Sequence, residues 1–179
     1  MSNRGFVVWL TGLPSSGKTT IARILENRLR DGGLKVELLD GDDVRKWLSP
    51  EAGFTREGRE RHLKRVAHVS RLLARNGVAV LASFVSPYRN VREEVRRIVE
   101  GEGLRFVEVY VKCSLEECMR RDPKGLYEKA LKGEVKDMTG IQDPYEEPLN
   151  PEVIVDSEVE DAEKCAEKII SKLIELNLV

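Results

Sequence analysis

Short apolar runs alternate with stretches of helical spacing along the whole chain. The first run, Phe6-Val7-Val8-Trp9-Leu10, is followed by residues 19–30, where Ile21, Ile24, Leu25 and Leu29 recur on one helical face. A second run, Val36-Glu37-Leu38-Leu39, ends at Asp40-Gly41-Asp42-Asp43. A third, Val78-Ala79-Val80-Leu81-Ala82, ends at Ser83-Phe84-Val85-Ser86-Pro87. A fourth, Phe106 through Val111, ends at Lys112-Cys113-Ser114, and a fifth, Val153-Ile154-Val155, ends at Asp156-Ser157. Helices are expected over 19–30, 57–75, 88–100, 114–121 and 161–176. This order predicts an α/β fold in three layers, a mostly parallel five-stranded sheet with helices on both faces. In such sheets ligands gather beyond the C-terminal ends of the strands. The polar clusters fall at those ends.

Two stretches break the rhythm. Residues 49–58 read as a loop, with Pro50, Gly53 and Gly58. Residues 122–151 form a longer irregular segment rich in glycine and proline, with Lys124, Lys129, Lys132 and Lys136. Long irregular segments in compact domains are usually functional or mobile. Residues 122–148 are therefore read as a basic lid within one domain spanning 1–179; a solvated surface loop is the plain alternative.

Gly12-Leu13-Pro14-Ser15-Ser16-Gly17-Lys18-Thr19 reads G-x-x-x-x-G-K-T and sits between a strand pattern and a helix pattern, as a phosphate-binding loop requires. Its glycines let backbone N–H groups of residues 13–18 turn toward phosphate oxygens, and the helix start adds its positive dipole end. Lys18 can reach the β- and γ-phosphates of ATP, the Thr19 hydroxyl can bind Mg²⁺, and Thr20 completes the loop. No N-K-x-D string is present to read guanine. An ATPase motor expects an apolar strand ending in an acidic residue, but the third strand ends in Ser83-Phe84 and the fourth in Lys112. The nearest candidate is Asp40-Gly41-Asp42 after the second strand, where a small-molecule kinase can face an acceptor hydroxyl.

Bulk properties narrow this further. The chain has 179 residues, a net charge of −1, 41% apolar and 34% charged residues. One domain with a proper core fits that length. The near-neutral balance argues against nucleic acid as a main partner. Cys113, Cys118 and Cys165 are odd in number and contain no C-x-x-C pair, so they read as reduced structural thiols. His62 and His68 are too few for a histidine-rich metal site. No run reaches membrane-spanning length, and the N-terminus passes into the first strand without a signal-peptide pattern, so a cytoplasmic location is expected.

Five strings then come in order: Gly12 to Thr19; Asp40-Gly41-Asp42-Asp43-Val44-Arg45; Ser83-Phe84-Val85-Ser86-Pro87-Tyr88-Arg89; Arg121-Asp122-Pro123-Lys124-Gly125-Leu126-Tyr127; and Thr139-Gly140-Ile141. Together they resemble the adenylylsulfate kinase family over essentially the whole chain. The resemblance implies transfer of the γ-phosphate of MgATP to the 3′-hydroxyl of adenosine 5′-phosphosulfate, giving 3′-phosphoadenosine 5′-phosphosulfate and ADP. It implies that Asp40 orients or deprotonates that hydroxyl and that Asp42 is its metal-side companion. Arg45 and Arg59 would hold the phosphosulfate, and Phe54 would stack on the substrate adenine. Ser86, with Phe84 and Val85, would lie beside the acceptor site. Lys124, with Gly125 and Leu126, would bring the lid to the substrate. A homodimer is the expected assembly.

The chain departs from the family pattern at two places. His62 stands where asparagine is usual, and Met138 where phenylalanine precedes T-G-I. Both bear on adenine binding more than on the reaction. Plain readings stand beside these roles. Asp40 or Asp42 can cap a helix, Ser86 can be the N-cap before Pro87, Phe54 can anchor a loop, and Arg59 can be one solvated arginine among several. A kinase for another small molecule, such as gluconate, shikimate or a nucleoside monophosphate, is the nearest rival. A nucleotide-binding regulatory module without catalysis is the rival of another class. Direct in-line transfer is the expected route, with a phosphoenzyme through Ser86 as the other possibility.

Overall fold

The computed structural model describes residues 5–179, so the expectation for Met1 to Arg4 lies outside the described residues. The elements run β1 (Phe6–Thr11), α1 (Lys18–Asp31), β2 (Val36–Asp40), α2 (Gly41–Leu48), α3 (Arg56–Arg75), β3 (Ala79–Ser83), α4 (Arg89–Glu100), β4 (Arg105–Lys112), α5 (Leu115–Arg121), α6 (Leu126–Leu131), β5 (Val153–Asp156) and α7 (Ala162–Glu175). The five strands lie in the order β2-β3-β1-β4-β5. Every pairing is parallel, so the sheet is wholly rather than mostly parallel.

Strand alternation sorts the core into two layers. Phe6, Val8 and Leu10 face Ile21 and Leu25 of α1 and Ile169 and Leu173 of α7. Val7 and Trp9 face Leu63 and Val66 of α3 and Val91 and Val95 of α4. Because both faces are covered, β1 reads as a continuous apolar run instead of an alternating one. Fully buried Trp9 has a polar nitrogen that needs a partner; its Nε1 donates to Ser86 Oγ at 3.0 Å. β1 is the central strand, so its C-terminal end opens where connections diverge to either side.

Two helices were not expected. α2 starts inside the Asp40-Gly41-Asp42 string, and its eight residues are too short for a clear period. α6 occupies six residues of the segment expected to be irregular. Asp122 nucleates it by accepting from Tyr127 N and Glu128 N at 3.2 and 3.1 Å. The 49–58 loop is shorter than expected, because Thr55 caps α3 by accepting from Gly58 N. Tyr127, Ala130 and Met138 form a third small cluster with Cys113 and Cys118, and Leu13 of the glycine loop packs on it. Among the described residues no helix is long and apolar enough to cross a membrane.

Candidate active site

A cavity of about 1200 Å³ runs across the C-terminal ends of β1, β2 and β3. That is above the usual range for one small ligand, roughly 300–1,000 Å³, and suits two nucleotides end to end. Its wall combines Pro14, Ser15, Gly17, Lys18, Thr19 and Thr20 with Asp40, Asp42, Arg45, Phe54, Arg59, His62, Phe84, Val85 and Ser86. Lys124, Leu126 and Met138 close it from the 122–148 side. Four expected residues, Gly12, Leu13, Ser16 and Gly125, are not on this wall. Leu13 is turned into the third cluster, Ser16 is buried beneath the loop, and Gly125 begins α6 in the left-handed region at φ 63°.

The glycine loop is shaped by close approach. A Cβ on Gly12 would lie 2.5 Å from the Val111 carbonyl oxygen and 2.9 Å from Ser16 Oγ. Gly17, at φ 90°, lets the chain swing into α1. Ser15 also has positive φ, 66°, a strained choice for a residue with a side chain. Lys18 Nζ folds back on the loop, donating to the carbonyls of Gly12 and Leu13 at 2.9 and 2.6 Å. Burial pulls its pKa down to about 8, while Asp40 and Asp42 act in the other direction.

Asp40 joins the two halves of the site. It ends β2 and caps α2, with Oδ1 accepting from Asp42 N at 3.2 Å. Its other oxygen, Oδ2, accepts from Thr19 Oγ1 at 2.7 Å. The capping and site readings of Asp40 therefore coexist. Asp42 is not a cap; it lies in the first turn of α2 and pairs across the cavity mouth with Lys124. The hydroxyl and carboxylate of Thr19 and Asp40 suit a hard cation that keeps most of its water and takes its other oxygens from phosphates. Among the described residues no cluster of three or more His, Cys, Asp or Glu forms a self-sufficient metal cage.

Arginines crowd the opposite end. Arg45 donates to the carbonyls of Ala52 and Gly53, and its guanidinium lies 4.7 Å from the Phe54 ring centre. Arg59 donates to Phe54 O at 2.7 Å and to Asp137 O, and lies 5.7 Å from the same ring. Burial lowers the pKa of both arginines, and their mutual repulsion adds to this at Arg45. Two clustered, partly desolvated guanidiniums are an anion site in waiting. Arg59 is thus buried, not one of a solvated set. Phe54 is 56% exposed, so it is not a core anchor; its ring is offered to the cavity. His62 is 1% exposed, with Nδ1 3.0 Å from Ser49 Oγ. Burial, helped by Arg45 and Arg65, drops its pKa to about 4. Its Nε2 has no partner among the described residues, which costs about 1–3 kcal/mol in a buried site.

The turn after β3 corrects the reading of Ser86 as a helix cap. The cap position of α4 is Tyr88, without a side-chain bond. Ser86 sits two residues earlier at φ 41°, and its Oγ donates to Phe84 O at 3.2 Å while accepting from Trp9. The pattern of the sequence missed what holds this turn. Thr11 Oγ1 donates to Val85 O at 2.7 Å, and buried Arg92 donates to Ser86 O at 2.6 Å while paired with Glu108. An arginine on the apolar face of α4, beside Val91 and Val95, was the available signal. The glycine-loop end of the cavity also includes Arg23, Arg121, Ser157 and Asp161. Arg121 donates to Ser157 O, and Ser157 Oγ donates to Ser16 O at 2.7 Å, tying β5 to the loop. The expected reduced thiols fit: all three cysteines are free and buried.

Known proteins are similar to this chain in sequence and in fold. The adenylylsulphate kinase family matches residues 4–156. A probable adenylyl-sulfate kinase of Aeropyrum pernix is 64% identical over 155 residues, covering 87% of this chain and 85% of the relative. An adenylyl-sulfate kinase of Picosynechococcus is 50% identical over 179 residues, 100% of this chain and 99% of the relative. The Mycobacterium tuberculosis APS kinase CysC, solved in complex with AMPPNP and APS, superposes with a TM-score of 0.92 at 39% identity, over 95% of this chain and 98% of that one. On sequence along nearly its whole length and on structure alike, the chain belongs to the adenylylsulphate kinase family.

Proposed function

We propose that this protein transfers the γ-phosphate of MgATP to the 3′-hydroxyl of adenosine 5′-phosphosulfate. The observation that carries the reading is the Thr19–Asp40 hydrogen bond of 2.7 Å. It places a carboxylate suited to a hydroxyl acceptor against the end of a phosphate-binding loop. The loop lies to one side of it, and the arginine pair with Phe54 to the other.

Phosphoryl transfer needs alignment and charge neutralisation more than covalent chemistry. Lys18 would leave the loop carbonyls for the transferring phosphate. Asp40 would aim the acceptor hydroxyl and receive its proton. Thr19, with Asp42 as its companion, would hold Mg²⁺, which supplies positive charge to the phosphate oxygens when bound. Arg45 and Arg59 would hold the phosphosulfate, and Phe54, with Met138 elsewhere on the cavity wall, would take the acceptor base. The bonds of Ser86 Oγ to Trp9 and Phe84 favour direct transfer over a phosphoenzyme, since that hydroxyl is committed inward. Residues 122–148 would serve as the lid, with Lys124 moving from Asp42 to substrate. The proposal extends to a homodimer as the working assembly and to the cytoplasm as its location.

ATP turnover with and without adenosine 5′-phosphosulfate tests the reading, with gluconate, shikimate and nucleoside monophosphates as competing acceptors. ADP release should depend on adenosine 5′-phosphosulfate. Equal or greater turnover with another acceptor would replace the substrate, and no turnover with any would favour a regulatory module.

A further inference from the structure

We propose that Ser49 is a positioning residue that fixes His62 as the Nε2–H tautomer, so that His62 gives a hydrogen bond to an anionic oxygen of the acceptor nucleotide. The inference rests on the kinase reading for the identity of that nucleotide, but not for the tautomer.

The argument is an accounting of protons. Ser49 is fully buried at the end of α2. Arg65 NH1 lies 3.3 Å from Ser49 Oγ, and an arginine can only donate. Arg65 is itself fixed by Leu48 O at 3.2 Å and Glu51 Oε1 at 2.5 Å. The Ser49 hydroxyl receives a bond from Arg65, and its own buried proton goes unsatisfied unless it too finds an acceptor. Among the described residues its other polar neighbour is His62 Nδ1, at 3.0 Å. Nδ1 then accepts, and the ring proton of the neutral imidazole resides on Nε2. Nδ1 is turned toward Ser49, and Nε2 is the ring nitrogen that remains on a residue that helps to line the cavity. That atom is buried and without a partner. The neighbouring Arg45 disfavours a third positive charge there. A neutral donor completes an anion site that already holds two guanidiniums, and it does so without further repulsion.

The chain has two histidines, which makes the test direct. ¹⁵N-histidine NMR of the free full-length protein at pH 7.5, with His62→Asn for assignment, should show His62 protonated at Nε2 alone. Addition of adenosine 5′-phosphosulfate should move the His62 Nε2 signal, and ATP alone should not. Ser49→Ala should raise KM for the acceptor by about two- to tenfold, the range for losing one neutral hydrogen bond, with KM for ATP unchanged. Ser49→Thr, which keeps the hydroxyl, should restore it. An Nδ1–H tautomer overturns the proposal. So does an Nε2 signal indifferent to the acceptor, or a Ser49→Ala variant that weakens both substrates equally. If Ser49→Ala does not fold, the NMR arms on the wild-type protein still decide. Should a different nucleotide support turnover and shift Nε2, the tautomer stands and the substrate assignment falls.

Discussion

The glycine loop, residues 12–19, and the segment 122–148 enclose the same cavity by opposite means. The loop is one unbroken string between a central strand and a helix, and its shape follows mainly from its own backbone, with Ser15 and Gly17 at positive φ, while Gly12 is held close against the Val111 carbonyl of β4. The 122–148 segment borrows its shape from the rest of the molecule. Tyr127 OH donates to Pro14 O at 2.9 Å, Arg59 donates to Asp137 O, Tyr88 OH donates to Asp143, and Arg92 donates to Glu146 O at 2.6 Å. One end is thus tied to the glycine loop and the other to the acceptor side. Long-range ties can be exchanged one at a time, whereas a loop built on backbone geometry has no second arrangement nearby. The proposed lid role of residues 122–148 rests on this division between a fixed cradle and a cover held by exchangeable ties.

The largest effect should come from the cradle. Lys18→Ala is expected to lower turnover by at least about 10²-fold, the scale for losing one charge-stabilising group at a transferring centre. Cooperative unfolding should remain, since the residue's present bonds are to its own loop. Steady-state ADP release with a parallel melting curve checks both, and near-normal turnover in a folded variant would remove the phosphate-binding role. Next is Asp40→Asn. Asparagine keeps one oxygen for the cap of α2 and turns its amide, as a donor, toward Thr19 Oγ1, so the helix start is preserved while the charge is lost. ATP affinity by calorimetry should hold, while kcat falls by about 10²–10⁴-fold. An unchanged kcat would pass the role to Asp42.

What the sequence made legible follows the same division. The strands and the long helices stood out because apolar residues recur with the period of each element, and the glycine loop because its chemistry demands adjacent residues. The start of α2 was half visible in the carboxylates of Asp40 and Asp42, but its length was not. α6 was invisible because six residues between Gly125 and Lys132 are too few for a period. Arg59 could not be told from its neighbours by pattern alone; only the fold brings Phe54, Asp137 and Asp143 around it. The inward hydroxyl of Ser86 depends on Trp9, 77 positions away, and no local signal encodes that.

The two arginines sharpen the comparison because only one of them touches the cover. Arg45→Ala and Arg59→Ala should each weaken adenosine 5′-phosphosulfate by about 1.5–3 kcal/mol with little change for ATP. Arg59 also holds Asp137 O, so its loss alone should speed hydrogen exchange within 122–148. Equal losses for both substrates would make these arginines structural or place them on the ATP side. Equal exchange in the two variants would mean that Arg59 does not fasten the segment.

The smallest effect isolates the tie between cover and cradle. Tyr127→Phe removes the hydroxyl that donates to Pro14 O and leaves the buried ring in place. One neutral hydrogen bond contributes about 0.5–1.5 kcal/mol, so exchange at residues 126–142 should rise by up to about tenfold in the free protein. Saturating turnover should change little, because substrate contacts replace the lost tie once the segment is closed. In the unmodified protein the same amides should gain protection when both nucleotides bind. Protection that is already high without ligand, and stays the same with it, would make the segment a fixed wall. Lys124 would then keep its bond to Asp42 and would no longer count as a substrate contact. Lys18 and the two arginines would have to neutralise the transferring charge without it.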